Sequence, residues 1–385
     1  MRKSGVENND CRAWVEIDLD ALAHNVRELR LNLPPGCELM AVVKTDAYGH
    51  GAMAVARRLW EEDVRAFGVA TVAEGVSLRK GGLKGSILVL GYASPGEANA
   101  LSEYGLEALV VDGSHAKALD KTGKKLRVHI AIDTGMHRLG MEPKDFGEIE
   151  SVFHCENLSV AGVASHLAAS DSLDCDDVEF TGMQIKAFYG TVDALKAKGY
   201  DVGKLHIQAS YGLCNYPGLQ CDYARVGIML YGVMSDGAKA KTTPNLRPVL
   251  SLRARVAQVR LIGAGESVSY GRLFKAERPT MLATVSIGYA DGVPRQMSGN
   301  GGMCIVNGKK TPIIGRICMD MLMLDVTGAG QVKQGDVVTL IGKDDSEEIR
   351  CEDFAAASGT ITNDILCRMG ARLGKRGPHG EHIDR

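Results

Sequence analysis

The chain has 385 residues, 45% apolar and 24% charged. That is an ordinary globular composition, too long for one small core, so two domains or a barrel with an addition are expected. A formal net charge of −2 gives no basic face for nucleic acid or a membrane surface. Ten cysteines, none in a Cys-x-x-Cys pair, exclude zinc-ribbon and thioredoxin readings and fit a reducing cytoplasm.

In chain order, residues 1–10 are polar and lack the apolar core of a signal peptide. Nowhere do about 18 apolar residues run uninterrupted, so no membrane span and a soluble, cytoplasmic chain are expected. Residues 12–18 alternate like a strand that could pair with a later β domain. Eight short apolar runs follow, at 38–43, 66–71, 86–90, 108–111, 126–132, 160–165, 205–209 and 223–229. Helix-like segments such as 52–62, 95–104, 114–121 and 178–198 lie between them. Continuous apolar strands need helices over their outer faces, so the pattern predicts a (β/α)8 barrel over 12–245. A doubly wound sheet would open on a Gly-x-Gly-x-x-Gly turn, and there is none.

Past Pro244 the texture changes to alternating runs at 248–261, 280–287, 304–306, 313–325 and 337–341, separated by glycine-rich turns. This predicts a β-rich domain over 246–373, with short helices at 351–357 and 361–372 and a frayed polar tail at 374–385. The row Met319, Met321, Met323 is strand-periodic and reads as core.

The polar residues gain meaning on this layout. Lys44 ends the first run, where partial desolvation would expose a neutral, imine-forming amine. An ordinary surface lysine is the plain alternative. Arg138 follows the fifth strand, His166 the sixth, Ser210 the seventh, and Arg225 lies in the eighth. Strand C-termini carry the active site of such barrels, and the loops after strands seven and eight often hold phosphate. The set suggests a phosphate-bearing carbonyl ligand held through an imine. Each residue also has a bland reading: a hydrogen-bonded core histidine for His166, a capping ion pair for Arg138, a turn or N-cap for Ser210. His379 and His382 lack partners at fixed spacing, so no metal is expected.

Residues 41–51, AVVKTDAYGHG, resemble the pyridoxal-phosphate motif of bacterial alanine racemases. Asp133–Gly140, Ser165-His166-Leu167, Arg225–Gly232, Ser267–Gly271, Ile287–Gly292 and Gly315–Asp320 are similar to further motifs of that family, so the likeness runs from about Arg12 to Arg372. The resemblance implies a fold-type III barrel and β domain, pyridoxal 5'-phosphate, an amino-acid substrate and a homodimer with shared sites. It implies that Lys44 binds the cofactor and acts as base on one face of Cα. Tyr270, from the other subunit, would be the base on the opposite face, because racemisation removes a proton from one side and returns it to the other. Arg225 would face the pyridine nitrogen and His166 the ring. Tyr48, Ser210, Gly227 and Ile228 would hold the phosphate. Arg138 would meet the cofactor's phenolic oxygen and the substrate carboxylate, Met319 the same carboxylate, and Tyr289 the entrance. D-amino acids for peptidoglycan precursors are the implied product.

Three departures stand out. Ala131 occupies the place of a frequently carbamylated lysine, so something else, an anion among the candidates, would have to steady Arg138. Gln208-Ala209-Ser210 replaces the usual Ala-Asn-Ser. Asn363 replaces a tyrosine near the C-terminus. With His206–Gly212, that last change is similar to the catalytic domain of VanT-type serine racemases, which implies serine as well as alanine as substrate and leaves a membrane-attached parent open. Rival readings are a basic-amino-acid decarboxylase of the same architecture, a non-catalytic pyridoxal-phosphate carrier and a cofactor-free lysine aldolase.

Overall fold

The structure, a computed structural model, describes residues 11–235, 239–370 and 372–383. The polar lead before residue 11 and the last two residues of the tail, both given a reading from sequence, lie outside these ranges. Strand β1 (Ala13–Ile17) comes first, then the eight parallel strands β2 (Glu38–Val42), β3 (Ala66–Val69), β4 (Ser86–Val89), β5 (Glu107–Val110), β6 (Leu126–Ala131), β7 (Leu158–Ala164), β8 (Lys204–His206) and β9 (Tyr223–Val226). Each of the eight expected apolar runs overlaps one strand, though β5, β7 and β8 begin one or two residues before their runs. Their spatial order is β8-β7-β6-β5-β4-β3-β2-β9. The ring is drawn together where Ala209 bridges Arg225 in parallel and Asp222 N donates to Leu205 O at 2.8 Å.

The barrel strands are apolar on both faces because one face fills the interior and the other lies under helices. Those helices include Ala52–Glu61, Val72–Lys80 and Cys175–Ala197. The segment expected as one helix over 95–104 opens with a 3-10 turn, Pro95–Glu97, before the helix Ala98–Glu103.

The second half contains β10 (Leu250–Ile262), the hairpin β11 (Ser267–Val268) and β12 (Phe274–Lys275), then β13 (Thr280–Val285), β14 (Met303–Val306), β15 (Lys309–Pro312), β16 (Leu322–Asp325), β17 (Val337–Asp344), β18 (Glu347–Ile349) and β19 (Gly374–Arg376). Strand β10 is its spine, antiparallel to β1, β13 and β17. The chain's first strand therefore belongs to the β sheet: Ala13 pairs with Ala254 and Ile17 with Leu250. One contiguous hydrophobic cluster runs from the barrel into this sheet.

Two expectations are corrected. Residues 313–325 are not one strand. The chain reverses, with Ile313 bridging Leu324 and Ile314 N bonding Met323 O at 2.9 Å, and Gly315 (φ +70) helps turn the loop between. Met323 is buried, but Met319 and Met321 stand on that loop at 53% and 45% exposure, so the methionine row is not a core stripe. The tail is not frayed at its start either: β19 pairs in parallel with β1, and Lys375 and Arg376 are buried. A strand with a paired neighbour has partners for its backbone groups, which a polar sequence does not advertise.

Candidate active site

Lys44 leaves β2 at the C-terminal mouth of the barrel and is half-buried. The backbone then does something its residue types do not favour. Thr45, Asp46, Ala47 and Tyr48 take φ of 54°, 53°, 53° and 52°, a left-handed turn closed by Gly49 (φ 79°). Each non-glycine residue there costs about 1–2 kcal/mol, so the surroundings must over-determine the turn. Glu74 accepts from Thr45 N at 2.7 Å, and Asp46 Oδ1 accepts from Ala52 N at 2.7 Å. His50 Nδ1 lies 2.9 Å and 2.8 Å from the carbonyls of Ala47 and Tyr48, so it must be the protonated nitrogen. The His50 ring stacks on Tyr231, whose hydroxyl donates to Val42 O at 2.9 Å. Gly49 is packed so closely that a Cβ there would lie 2.4 Å from Leu366 O.

Beside Lys44 opens a cavity of about 540 Å³. Tyr48, Arg138, His166, Ser210, Arg225, Gly227, Ile228 and Asn363 all line it. In one corner Ser210 Oγ accepts from Gly227 N at 3.1 Å, and a Cβ on Gly227 would come within 2.7 Å of the Tyr48 hydroxyl. Two hydroxyls and adjacent backbone N–H groups around a bare glycine form a cradle suited to a phosphate. Burial pushes the Tyr48 phenol up, so it stays a donor.

Arg225 is fully enclosed. Nη1 donates to His206 Nδ1 at 2.8 Å and His206 O at 2.7 Å, and Nη2 to Ser165 O at 2.6 Å and His166 Nδ1 at 3.0 Å. Among the described residues nothing accepts from its Nε. Burial lowers it to about 10, so it remains charged at neutral pH. Burial first, then the charges of Arg225, Arg138 and Lys44, bring His166 down to about 3, so this imidazole is neutral. Its Nδ1 is occupied as acceptor, which leaves an Nε2–H. A ring cofactor bearing a phosphate fits this mouth, whose lining includes the cradle, a guanidinium with an unengaged N–H and an amine.

Arg138 is exposed on a loop tied by Asp133, whose Oδ1 accepts from Gly135 N and His137 N at 3.0 Å and 2.9 Å. No acidic side chain pairs with Arg138 among the described residues, and Ala131 is buried below it. Asn363 is held by Ser235, whose hydroxyl donates to Oδ1 at 3.2 Å. Three expected site residues are not brought here. Tyr270, Tyr289 and Met319 are 70%, 41% and 53% exposed on the β domain, and none lines the cavity. They do share one surface: Tyr289 N donates to Cys318 O at 3.0 Å and Ser269 Oγ to Arg316 O at 2.7 Å, joining the three loops.

Residues 17–235 match the model of the alanine racemase N-terminal domain and residues 249–376 that of the C-terminal domain. The chain belongs to the alanine racemase family. It is 43% identical over 363 residues to an amino-acid racemase of Enterococcus faecalis, covering 94% of this chain and 51% of that one. A serine/alanine racemase of Enterococcus gallinarum is 38% identical over 368 residues, 95% of this chain and 51% of the other. The chain thus spans about half the length of those two relatives. An alanine racemase of Nostoc sp. is 40% identical over 374 residues, 95% and 96% of the two chains. Among solved structures, alanine racemase of Clostridium difficile 630 superposes with a TM-score of 0.88 at 30% identity, covering 95% of each chain. That of Bartonella henselae with covalently bound pyridoxal phosphate gives 0.81 at 31%, covering 95% and 99%. Within this alanine racemase frame no helix among the described residues is long and apolar enough to cross a membrane.

Sequence reasoning missed several residues. Glu74, Lys375 and Ser235 support the site from distant positions, and Glu107, His129 and His206 form a buried chain behind Arg225. The sequence signal for the last three is a buried polar residue in each of three barrel strands, Glu107 opening β5, His129 within β6 and His206 closing β8.

Proposed function

We propose that this chain is a pyridoxal 5'-phosphate-dependent amino-acid racemase that interconverts L- and D-alanine, and L- and D-serine, by two bases on opposite faces of Cα. One observation carries the reading: Lys44, the Ser210–Gly227 cradle and Arg225 meet in one cavity at the barrel mouth, spaced around it as amine, phosphate seat and ring partner. When bound there, the cofactor supplies an electron sink that acidifies the substrate's Cα–H.

The protein's residues do the rest. Lys44 Nζ holds the cofactor, is released by substrate, and moves a proton on and off one face of Cα. Tyr48, Ser210 and the Gly227–Ile228 backbone anchor the phosphate, the Ile228 N–H donating to it while the Gly227 N–H holds the Ser210 hydroxyl in place. Arg225 keeps its own proton, so it offers the ring nitrogen a hydrogen bond rather than protonation, which weakens the sink and disfavours transamination. Arg138, with no acidic partner, is free for the substrate carboxylate. The Asn363 oxygen is occupied by Ser235, which leaves its N–H groups for a seryl hydroxyl. A site that bonds a hydroxyl discriminates far better than one that only leaves room.

The second base must come from elsewhere, because Tyr270 is exposed and does not line its own chain's cavity. We assign it to a second copy. Tyr270, Leu273, Tyr289, Met319 and Met321 are all at least 41% exposed on the β domain, an apolar surface suited to docking over another copy's barrel. A product of this kind, a D-amino acid, suits cell-wall precursor synthesis.

The test is a chiral assay of the purified, cofactor-loaded protein with L-alanine and L-serine. Tyr270→Phe should lose about 10²–10⁴-fold in racemisation, the range for a missing general acid–base group. It should still exchange the α-hydrogen of one enantiomer with deuterated water. Exchange of both enantiomers would remove Tyr270 as the second base, and carbon dioxide release would turn the reading to a decarboxylase.

A further inference from the structure

Behind Arg225 a chain of polar side chains runs through the barrel interior to its floor. Arg225 Nη1 lies 2.8 Å from His206 Nδ1, His206 Nε2 lies 2.8 Å from His129 Nδ1, and His129 Nε2 lies 3.1 Å from Glu107 Oε2. Glu107 is the first residue of β5, at the end of the barrel away from the cavity, and is 6% exposed. Ser86 Oγ and Arg127 Nε also donate to it, at 2.7 Å and 2.9 Å. A barrel interior is ordinarily packed with branched apolar side chains, so a polar file through it must be fully satisfied to be tolerated.

The fold makes room for this file. Strand β7 carries a bulge against β6: Val128 pairs with Val160 and His129 with Gly162, so Ala161 is the extra residue and Gly162 comes to face His129. A Cβ on Gly162 would lie 2.4 Å from His129 Nδ1. The two imidazoles meet edge to face with centroids 4.9 Å apart.

The proton positions follow from the two ends. A guanidinium cannot accept, so His206 Nδ1 must be bare and His206 must carry its proton on Nε2. That proton points at His129 Nδ1, which must therefore be bare, leaving His129 protonated on Nε2 and aimed at Glu107. A carboxylate can only accept, so the opposite end demands the same arrangement. Burial pushes the Glu107 carboxyl up, but the His129 hydrogen bond, the charge His129 would carry if doubly protonated, the Ser86 hydrogen bond and the charge of Arg127 lower it on balance, so it is a carboxylate. Burial, then Arg225, drive His206 well below its ordinary value.

We propose that Glu107 is a positioning residue for Arg225: by accepting the His129 proton at the barrel floor it holds both histidines in one tautomer, so that a bare nitrogen always faces the guanidinium. Without an acceptor at 107, the His129 Nε2–H is a buried donor with no partner. The pair escapes that cost by shifting both protons toward Arg225, which sets an N–H against the guanidinium and displaces it. This role rests on the reading that Arg225 faces the cofactor ring, but the tautomers can be measured without it.

The experiment uses ¹⁵N-histidine-labelled protein stripped of cofactor, then reloaded for kinetics. In the parent, His129 and His206 should both be neutral and protonated on Nε2 at pH 7. Glu107→Leu should mix or reverse these tautomers and lower kcat about tenfold with KM nearly unchanged. Glu107→Gln, whose amide oxygen can take the Oε2 position, should restore the parent spectrum and most of kcat. An Nδ1-protonated His206 or a charged His129 in the parent overturns the proposal even if no variant folds. So does a folded Glu107→Leu protein with parental spectrum and kcat, or a folded Glu107→Gln protein as impaired as Glu107→Leu. If the tautomers come out as stated but no protein racemises any amino acid, the chain stands and the functional reading falls.

Discussion

Lys375 Nζ lies 2.7 Å from Asp46 Oδ2, which ties the last strand of the β domain to the left-handed turn that presents Lys44. Lys375 is buried while the Asp46 side chain is 52% exposed, so the ion pair itself is partly screened by water. The other Asp46 oxygen caps Ala52 N, and the residue thus holds the turn from both sides. Asp46→Ala is expected to cost about 1–2 kcal/mol in urea unfolding, mostly from the lost backbone bond. It should also weaken cofactor retention during dialysis. Lys375→Met should do less of both. Parental unfolding and retention in both variants would mean that the clamp is idle.

Gly227 is bare because the Tyr48 hydroxyl occupies the space a Cβ would need, 2.7 Å away. Gly227→Ala should move Tyr48 and narrow the phosphate cradle, an overpacking cost of about 1–3 kcal/mol. Titration of the cofactor-free protein, followed by absorbance, should show a Kd at least about tenfold higher, with a native far-UV spectrum.

Acid should destabilise the cofactor-free protein through buried imidazoles, His206 together with the two that follow. Burial brings His50 down to about 4, and burial with the charge of Arg225 brings His166 to about 3, against 6.5 ordinarily. Below pH 6.5 the unfolded chain takes up these protons and the folded chain does not. Their stability is therefore fully present above 6.5 and is lost as pH falls toward 4 and 3, by at most about 1.4 kcal/mol per pH unit for each group. Urea midpoints at pH 7.5 and pH 5 should differ accordingly, and His50→Gln should flatten the difference. An unchanged slope in that variant would clear His50 of the effect.

Asn363→Tyr should restore bulk beside the substrate's Cβ and remove the amide. The ratio of serine to alanine kcat/KM should fall about tenfold or more, as when a bonded hydroxyl loses its partner. An unchanged ratio would remove Asn363 as the residue that admits serine.

Asp291 is completely buried and holds Arg12 at 2.6 Å, while its Oδ2 accepts from Gly288 N at 3.1 Å. It joins β1 to the turn that carries Tyr289. Asp291→Ala takes the carboxylate from Arg12, which keeps only its bond to Ser286 O, and from Arg372, and should cost about 3 kcal/mol, at the low end for a broken buried pair because Arg12 is partly exposed. A thermal midpoint within a degree of the parent would contradict this.

The barrel was legible because a strand covered on both faces has to be written as an unbroken apolar run, and eight such runs in order leave few alternatives. Lys44, Arg225 and Ser210 were legible for a related reason: each sits at a strand end, where position alone points a side chain at the mouth. The left-handed turn after Lys44 was not, since nothing in Thr-Asp-Ala-Tyr favours positive φ. Met319 and Met321 misled because alternation reads the same in a strand and in a loop that doubles back.

What the amino-acid order determined by itself is the set of local facts: strand and helix periods, the amine after β2, the glycine in the cradle, and an asparagine in the Thr-Ile-Thr-Asn segment near the C-terminus. What only the tertiary structure decided are the long-range pairings, Lys375 with Asp46, Glu107 with His129 and β1 with β10. Their members lie 20 to over 300 positions apart in the chain, and no local propensity encodes which buried charge meets which. The physical reason is desolvation. A polar group enters the interior only where the finished fold supplies its partner, so such pairs exist as pairs only after the chain has closed around them.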